Sequence, residues 1–221
     1  MKKIIIAIIL LMAVARISNA QNVNWRWLNE EKPNYVYLNF GYDYGLTTQV
    51  GYSRAIKTFK PVLLTLDYSF PMGENLFDDF KIRYGGQIEL LEYKSFSASA
   101  KILGNFRRTE TEMGKIAGFG AEISGLVGYY KPTWHIAAEF GFDKSITSNL
   151  KHSDIMKDIY PNIQDGWYIP SGGNYFYGIQ ASKSIKKSYD ISLRLGATNA
   201  QGNDENAMLP YYAQIGLIKR F

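Results

Sequence analysis

Two short stretches of this 221-residue sequence hold side chains suited to acid–base work: Asp78-Asp79, and His152-Ser153-Asp154. A carboxylate pair and an imidazole near an acid are the parts from which general-base hydrolysis is assembled. Both stretches fall between apolar segments, in sequence that reads as loop. Solvated loop residues are therefore the plainer reading of all four candidates, Asp78, Asp79, His152 and Asp154, and no catalytic set is assigned. Ser153 adjoins His152, but in a loop. His135 is the only other histidine, and it sits where a neighbouring carboxylate would satisfy it. No His-x-x-x-His spacing and no cysteine offers metal ligands, so no metal or cofactor is expected. Gly85-Gly86 lies inside a strand pattern, where close packing or curvature explains it better than phosphate binding.

A larger set of charges is spread through the chain at alternate positions of apolar runs: Asp67, Lys81, Arg83, Glu89, Lys101, Glu122, Glu139 and Arg194, with His135 among them. Too many charges occupy one face for a packed hydrophobic core. Counting along the runs puts Glu139 and Arg194 near mid-depth and Asp67 and Lys101 within a residue or two of that level. A mixed ion-pair network across a water-containing interior fits this spacing.

The elements that must hold these residues are strands. Period-2 alternation begins near residue 35 and lasts almost to the end, in ten segments: roughly 35–44, 47–56, 61–70, 80–93, 96–107, 118–130, 134–143, 173–183, 189–199 and 210–221. In the first, Val36, Leu38, Phe40 and Tyr42 alternate with Tyr37, Asn39, Gly41 and Asp43. The connections alternate too. Short ones fall at 56–60, 93–95, 131–133 and 185–188; long ones at 71–79, 108–117, 144–172 and 199–209. The tight Gly45-Leu46 turn is the exception to that rule.

A soluble sandwich would also bury one face of each strand. The aromatics separate the two cases. On the apolar face, one rim collects Tyr44, Phe70, Phe80, Phe106, Phe119, Phe142, Tyr175 and Tyr211. The other collects Phe96, Tyr129, Trp134, Tyr189 and Phe221, with aliphatic and small residues between. Two aromatic girdles around an aliphatic belt suit a bilayer. The fold expected is all-β: an antiparallel up-and-down transmembrane β-barrel of about ten strands, with eight or twelve left open because closure favours even numbers.

The N-terminus reads as an export signal. Lys2 and Lys3 precede an apolar run from Ile4 to Val14 and a Ser18-Asn19-Ala20 cleavage site. The domains expected are a signal peptide at 1–20, a periplasmic segment at 21–34 and an outer-membrane barrel at 35–221. Removing the signal takes the 25 basic residues to 22 against 20 acidic ones, so the net charge falls from +5 to +2. That gives no clustered basic face for nucleic acid. With no cysteine, an exported chain must be held together by something other than disulfides.

The last run, with Tyr211, Ile215, Leu217 and Phe221 on one face, resembles the final strand of bacterial outer-membrane β-barrel proteins, which typically ends in phenylalanine. The resemblance implies recognition of these residues by the barrel-assembly machinery. Lys219 departs from the pattern, standing where a hydrophobic residue is usual; a rim lysine can snorkel to headgroups. The placement of Asp78-Asp79 and His152-Asp154 also resembles that of the acidic pair and His-Asp couple in the ten-stranded omptin proteases. Here, however, the chain is much shorter, the His precedes the Asp and the two acids are adjacent.

The function expected is non-enzymatic: a structural, binding or narrow small-solute channel role at the cell surface, with outer-membrane lipid as surroundings. A ligand or protein partner would be met through the 144–172 loop. An omptin-like or lipid-acting hydrolase is the alternative. A charge-filled interior favours a plugged barrel over an open pore.

Overall fold

The computed structural model describes residues 24–27, 32–72, 77–170, 172–186, 188–202 and 209–221. The expected signal peptide at 1–20 lies outside the described residues. Eleven strands form one sheet: β1 (Asn34–Tyr42), β2 (Leu46–Ile56), β3 (Val62–Pro71), β4 (Asp79–Tyr93), β5 (Phe96–Thr111), β6 (Gly114–Lys131), β7 (Trp134–His152), β8 (Gly166–Tyr168), β9 (Gly173–Lys186), β10 (Tyr189–Ala200) and β11 (Tyr211–Arg220).

Ten of these close a barrel, each pairing antiparallel with its sequence neighbours, while β8 adds only a short extension to the far end of β7. Closure is made by β11 returning to β1, from Tyr35↔Arg220 to Tyr42↔Ala213. Because the ring closes, it has no edge, and backbone polar groups in the bilayer are met by adjacent strands. Stability therefore needs no disulfide.

The alternation sorts the faces as expected from the sequence. Outward residues such as Leu66, Ile102, Ile123, Val127 and Ile215 are exposed, while Asn39, Gln49, Asp67, Arg83, Ser99, Lys101 and Gln180 are buried. This inversion of the usual soluble pattern follows from the outer face meeting lipid. Along the long-loop rim, Phe80, Phe106 and Phe119 touch in sequence at centroid distances of 5.9 and 5.0 Å. At the short-turn rim, Phe96, Tyr129 and Trp134 do the same at 5.1 and 5.7 Å. Tyr44 departs from its expected girdle position. It turns inward at the β1–β2 hairpin, donates to the Ser69 carbonyl at 2.9 Å and lies under the Arg107 guanidinium, 4.3 Å from its ring centroid.

The wall is uneven in height. A bilayer asks for strands of roughly 9–11 residues, which β1 and β11 match with 9 and 10, but β5, β6 and β7 run to 16, 18 and 19. The stretch 108–117 is therefore not the long loop expected. It is a ribbon that turns at Glu112-Met113, held by the pairs Thr109↔Ile116 and Glu110↔Lys115 and by Glu110 accepting from Arg108 and Lys115 at 2.6 and 2.5 Å. Likewise 144–172 is not one loop. It continues β7 to His152, forms helix α1 (Asp154–Ile159) capped by Ser153, and adds β8.

Candidate functional site: a charged vestibule above a plugged inner mouth

The barrel interior is organised in levels. At the short-turn end, Tyr35, Tyr37, Leu63, Tyr130, Ala137 and Ile218 point inward and pack together, each at most 2% exposed. Trp25, from a 3-10 turn at Trp25–Trp27, joins this cluster and is itself buried. Its neighbours tie it down: Asn24 Nδ2 donates to the Lys131 carbonyl at 2.7 Å, and Arg26 pairs with Glu92 and the Lys94 carbonyl. The N-terminal segment thus closes the inner mouth over an aromatic layer. His135 lies at the same end, stacked on Tyr130 with centroids 4.9 Å apart, its Nδ1 2.7 Å from Ser182 Oγ.

Above that layer the inward charges pair with one another, between neighbouring strands in Asp67–Arg83 and Glu122–Lys101 and between strands further apart in Glu139–Arg194 and Asp143–Lys81. Arg83 donates from Nε to Asp67 Oδ1 at 3.0 Å and from Nη1 to Asp43 Oδ2 at 3.1 Å, while Tyr37 donates to the other oxygen of Asp67 at 3.0 Å. Arg194 Nε and the Tyr212 hydroxyl both donate to Glu139 Oε1, at 2.7 and 2.6 Å, and Gln180 donates to its second oxygen. Lys101 meets Glu122 at 2.8 Å and Lys81 meets Asp143 at 3.0 Å, while Glu89, lower down beside Tyr130 at the short-turn end, accepts from Ser97 at 2.5 Å. The strand period makes this possible: inward positions two residues apart stack up the wall, so acids on β3, β6 and β7 face bases on β4, β5 and β10.

Higher still, a cavity of about 160 Å³ opens toward the long-loop rim, with Asp43, Arg83, Glu122, Phe176, Arg194 and Tyr212 among its lining. It meets a second hollow of about 390 Å³ against the tall wall, and Lys81, Arg107, Asp143 and Asn174 are common to both. The second hollow adds the amide of Asn105 and the hydroxyls of Thr109, Ser145 and Ser148, together with Ile116 and three glycines. Arg83 Nη2 is buried without a hydrogen-bond acceptor among the described residues.

The four loop residues weighed for hydrolysis are not gathered together. Asp79 opens β4 and is held by Arg107 in a two-point contact at 3.0 and 3.3 Å and by Thr109 Oγ1 at 3.2 Å. Asp78 contributes its carbonyl to Glu110 N at 2.7 Å. His152 ends β7, and its imidazole partner is Asp165 at 3.0 Å; Asp154 instead begins α1. No described contact joins the His152 group to Asp78 or Asp79, and nothing in this geometry supports the hydrolase reading. Asp165 escaped the sequence reading because its link to His152 depends on the return of the chain after α1. The inward Tyr44 and the vestibule residues Arg107 and Asn174 were missed because they lie where strand and loop patterns meet, whereas Asp43 and Asp143 fall on the polar, inward set of their runs in the sequence. The hydroxyl residues Thr109, Thr111 and Ser145, which continue the alternation beyond Arg107 and Asp143, were the available signal.

Of the residues expected to guide assembly, Tyr211, Ile215, Leu217 and Phe221 are all exposed on the lipid face of β11 or just beyond it. Lys219 lies with its ammonium 5.9 Å from the Tyr189 ring centroid at the short-turn rim.

No family model and no curated protein matches the chain. Among solved structures, the chain is similar to KdgM porin in complex with disordered oligogalacturonate, at 9% identity over 85% of this chain and 99% of that one, TM-score 0.44. It is also similar to KdgM porin alone, with the same identity and coverage and a TM-score of 0.42. A closed antiparallel wall, an apolar exterior between aromatic girdles and a charged interior make this chain a ten-stranded transmembrane β-barrel of the bacterial outer-membrane type.

Proposed function

We propose that the protein is a non-enzymatic binding barrel: a surface vestibule that takes small polar solutes from outside, above a lumen occluded at its inner end. One observation carries the reading. The short-turn mouth is filled by Tyr35, Tyr37, Leu63, Tyr130 and Ile218 beneath Trp25, whereas the opposite end holds a hollow lined by charged and hydrogen-bonding groups. In barrels of this kind the long connections face outward and the short turns face the periplasm. The vestibule is thereby assigned to the cell surface. Its mixed charges, already paired with one another, favour a neutral or zwitterionic solute over a highly charged one.

Two measurements test this. In a planar bilayer, the folded barrel is expected to show no steady conductance, and a stable salt-dependent current would replace the reading with a channel. Because the chain has no cysteine, single thiols report access without background. In cells, a membrane-impermeant maleimide is expected to label Asn174→Cys from outside and to leave Ser97→Cys unmodified. Equal labelling of both would mean an open lumen.

A further inference from the structure

The exterior carries a trench that the vestibule does not explain. Two cross-strand rows run over β7, β9 and β10 on the lipid face: Trp134, Lys183 and Ile191, then Ile136, Ala181 and Leu193 one step further into the membrane. Ala181 is a single methyl between Ile136 and Leu193. The wall is recessed there, and a hollow of about 340 Å³ lies over it, walled by Trp134, Ile136, Ile191 and Leu193, with Lys183 at its mouth.

The surroundings of that mouth are basic. Lys183 stands level with Trp134 of the short-turn girdle, Lys219 lies by Tyr189, and Lys131 has its ammonium 5.3 Å from the Tyr129 ring. The turn segments 129–134, 183–190 and 217–221 contain one acidic residue, Asp190. That carboxylate is buried inside the barrel, 3.1 Å from Arg220, and cannot neutralise the outer face. By contrast the opposite end of the barrel mixes acids with bases, as in the Arg108, Glu110 and Lys115 group.

We propose that this trench is a binding site for an anionic phospholipid of the periplasmic leaflet. One acyl chain lies over Ala181, and the headgroup phosphate is held by Lys183 with support from the neighbouring rim lysines. The occupant follows from charge and depth together. The apolar trench begins at girdle level and runs toward the bilayer centre, which suits a hydrocarbon chain, while a lysine at its mouth suits a phosphate. Lysines at an interface favour anionic over zwitterionic headgroups, by roughly five-fold for each one engaged.

Native mass spectrometry of the purified, heat-modifiable barrel with phosphatidylglycerol or phosphatidylcholine tests this. Phosphatidylglycerol should be retained several-fold better. Lys183→Gln should remove most of that preference, and Ala181→Phe, which fills the trench, should weaken retention of the lipid altogether. Lys157→Gln, on α1 at the far end, should change neither. Equal retention of the two lipids, or wild-type phosphatidylglycerol binding by both Lys183→Gln and Ala181→Phe, would overturn the proposal. So would a dimer in detergent that Ala181→Phe dissociates, because a second copy would then own the trench.

Discussion

Arg194 on β10 and Glu139 on β7 meet inside the lumen, over the intervening β9, at 2.7 Å, and the Tyr212 hydroxyl of β11 donates to the same carboxylate oxygen. Three strands that are not all neighbours are thus tied through one buried acid. Glu139→Ala would strand the Arg194 charge, and breaking a buried pair in this way costs about 3–5 kcal/mol. The expected outcome is a clear drop in the temperature at which the folded band converts to the unfolded one on gels. Replacing both partners, as in Glu139→Leu with Arg194→Met, should restore most of the loss, because no uncompensated charge remains.

Trp25 closes the aromatic layer at the inner mouth, and its removal leaves a void next to Tyr130 and Tyr35. Trp25→Ala should cost about 3–5 kcal/mol, the usual range for deleting a buried large aromatic. Urea titration of the barrel in liposomes measures this. The residual plug of Tyr37, Leu63 and Ile218 should keep the variant electrically silent. A variant that conducts would identify Trp25 as the seal by itself.

Gly51 is needed because the Tyr37 ring lies over it, where a Cβ would overlap the ring. Gly51→Ala must push Tyr37 off Asp67, at an overpacking cost of about 1–3 kcal/mol. Gly45→Ala, where a Cβ meets nothing nearby, is the matched control and should be close to neutral. Denaturant midpoints of the two variants decide this.

Asp165 fastens the segment after α1. Its carboxylate accepts from Lys157 Nζ at 2.7 Å and from the His152 backbone N–H at 2.8 Å, and these contacts hold its pKa well below the usual carboxylate range. A depressed pKa means that the contribution is fully present above the ordinary aspartate value near 4 and is lost as pH falls below it. Opening of 153–165, read as the hydrogen-exchange rate relative to the intrinsic rate at each pH, should therefore stay low at pH 5–8 and rise on acidification below about 4. Asp165→Asn should raise it at neutral pH, with the barrel strands unaffected.

How much of this was legible in the sequence depends on what sets each feature. The ten spanning strands and the sorting of their faces were readable because a bilayer outside and water inside enforce strict alternation, as in Trp134 to Phe142 against His135 to Asp143. Strand ends were not readable where the lipid constraint stops. Beyond Phe106 and Phe142 the alternation weakens because both faces meet water, so ribbon looked like loop. Individual partners escaped for another reason. Whether Arg83 meets Asp67 depends on the register of the β3–β4 hairpin, and whether Arg194 meets Glu139 depends on stagger across β9, neither of which the alternation encodes. The contact of Trp25 with Tyr130 joins residues separated by half the chain.

The unequal wall gives the vestibule a direction. The β1–β2 hairpin turns low, at Asp43–Gly45, and in the ring of ten it stands opposite β6 and β7, which rise far past the girdle. The mouth is shaped like a ladle, with a high back and a low lip. Under the proposed function, a solute drifting along the cell surface would reach the hollow most readily over the lip, past Tyr44 and Arg107, and would be stopped by the back. A barrel that binds in this way would sample its surroundings from one side, so its orientation in the plane of the membrane would decide which part of a crowded surface it can reach.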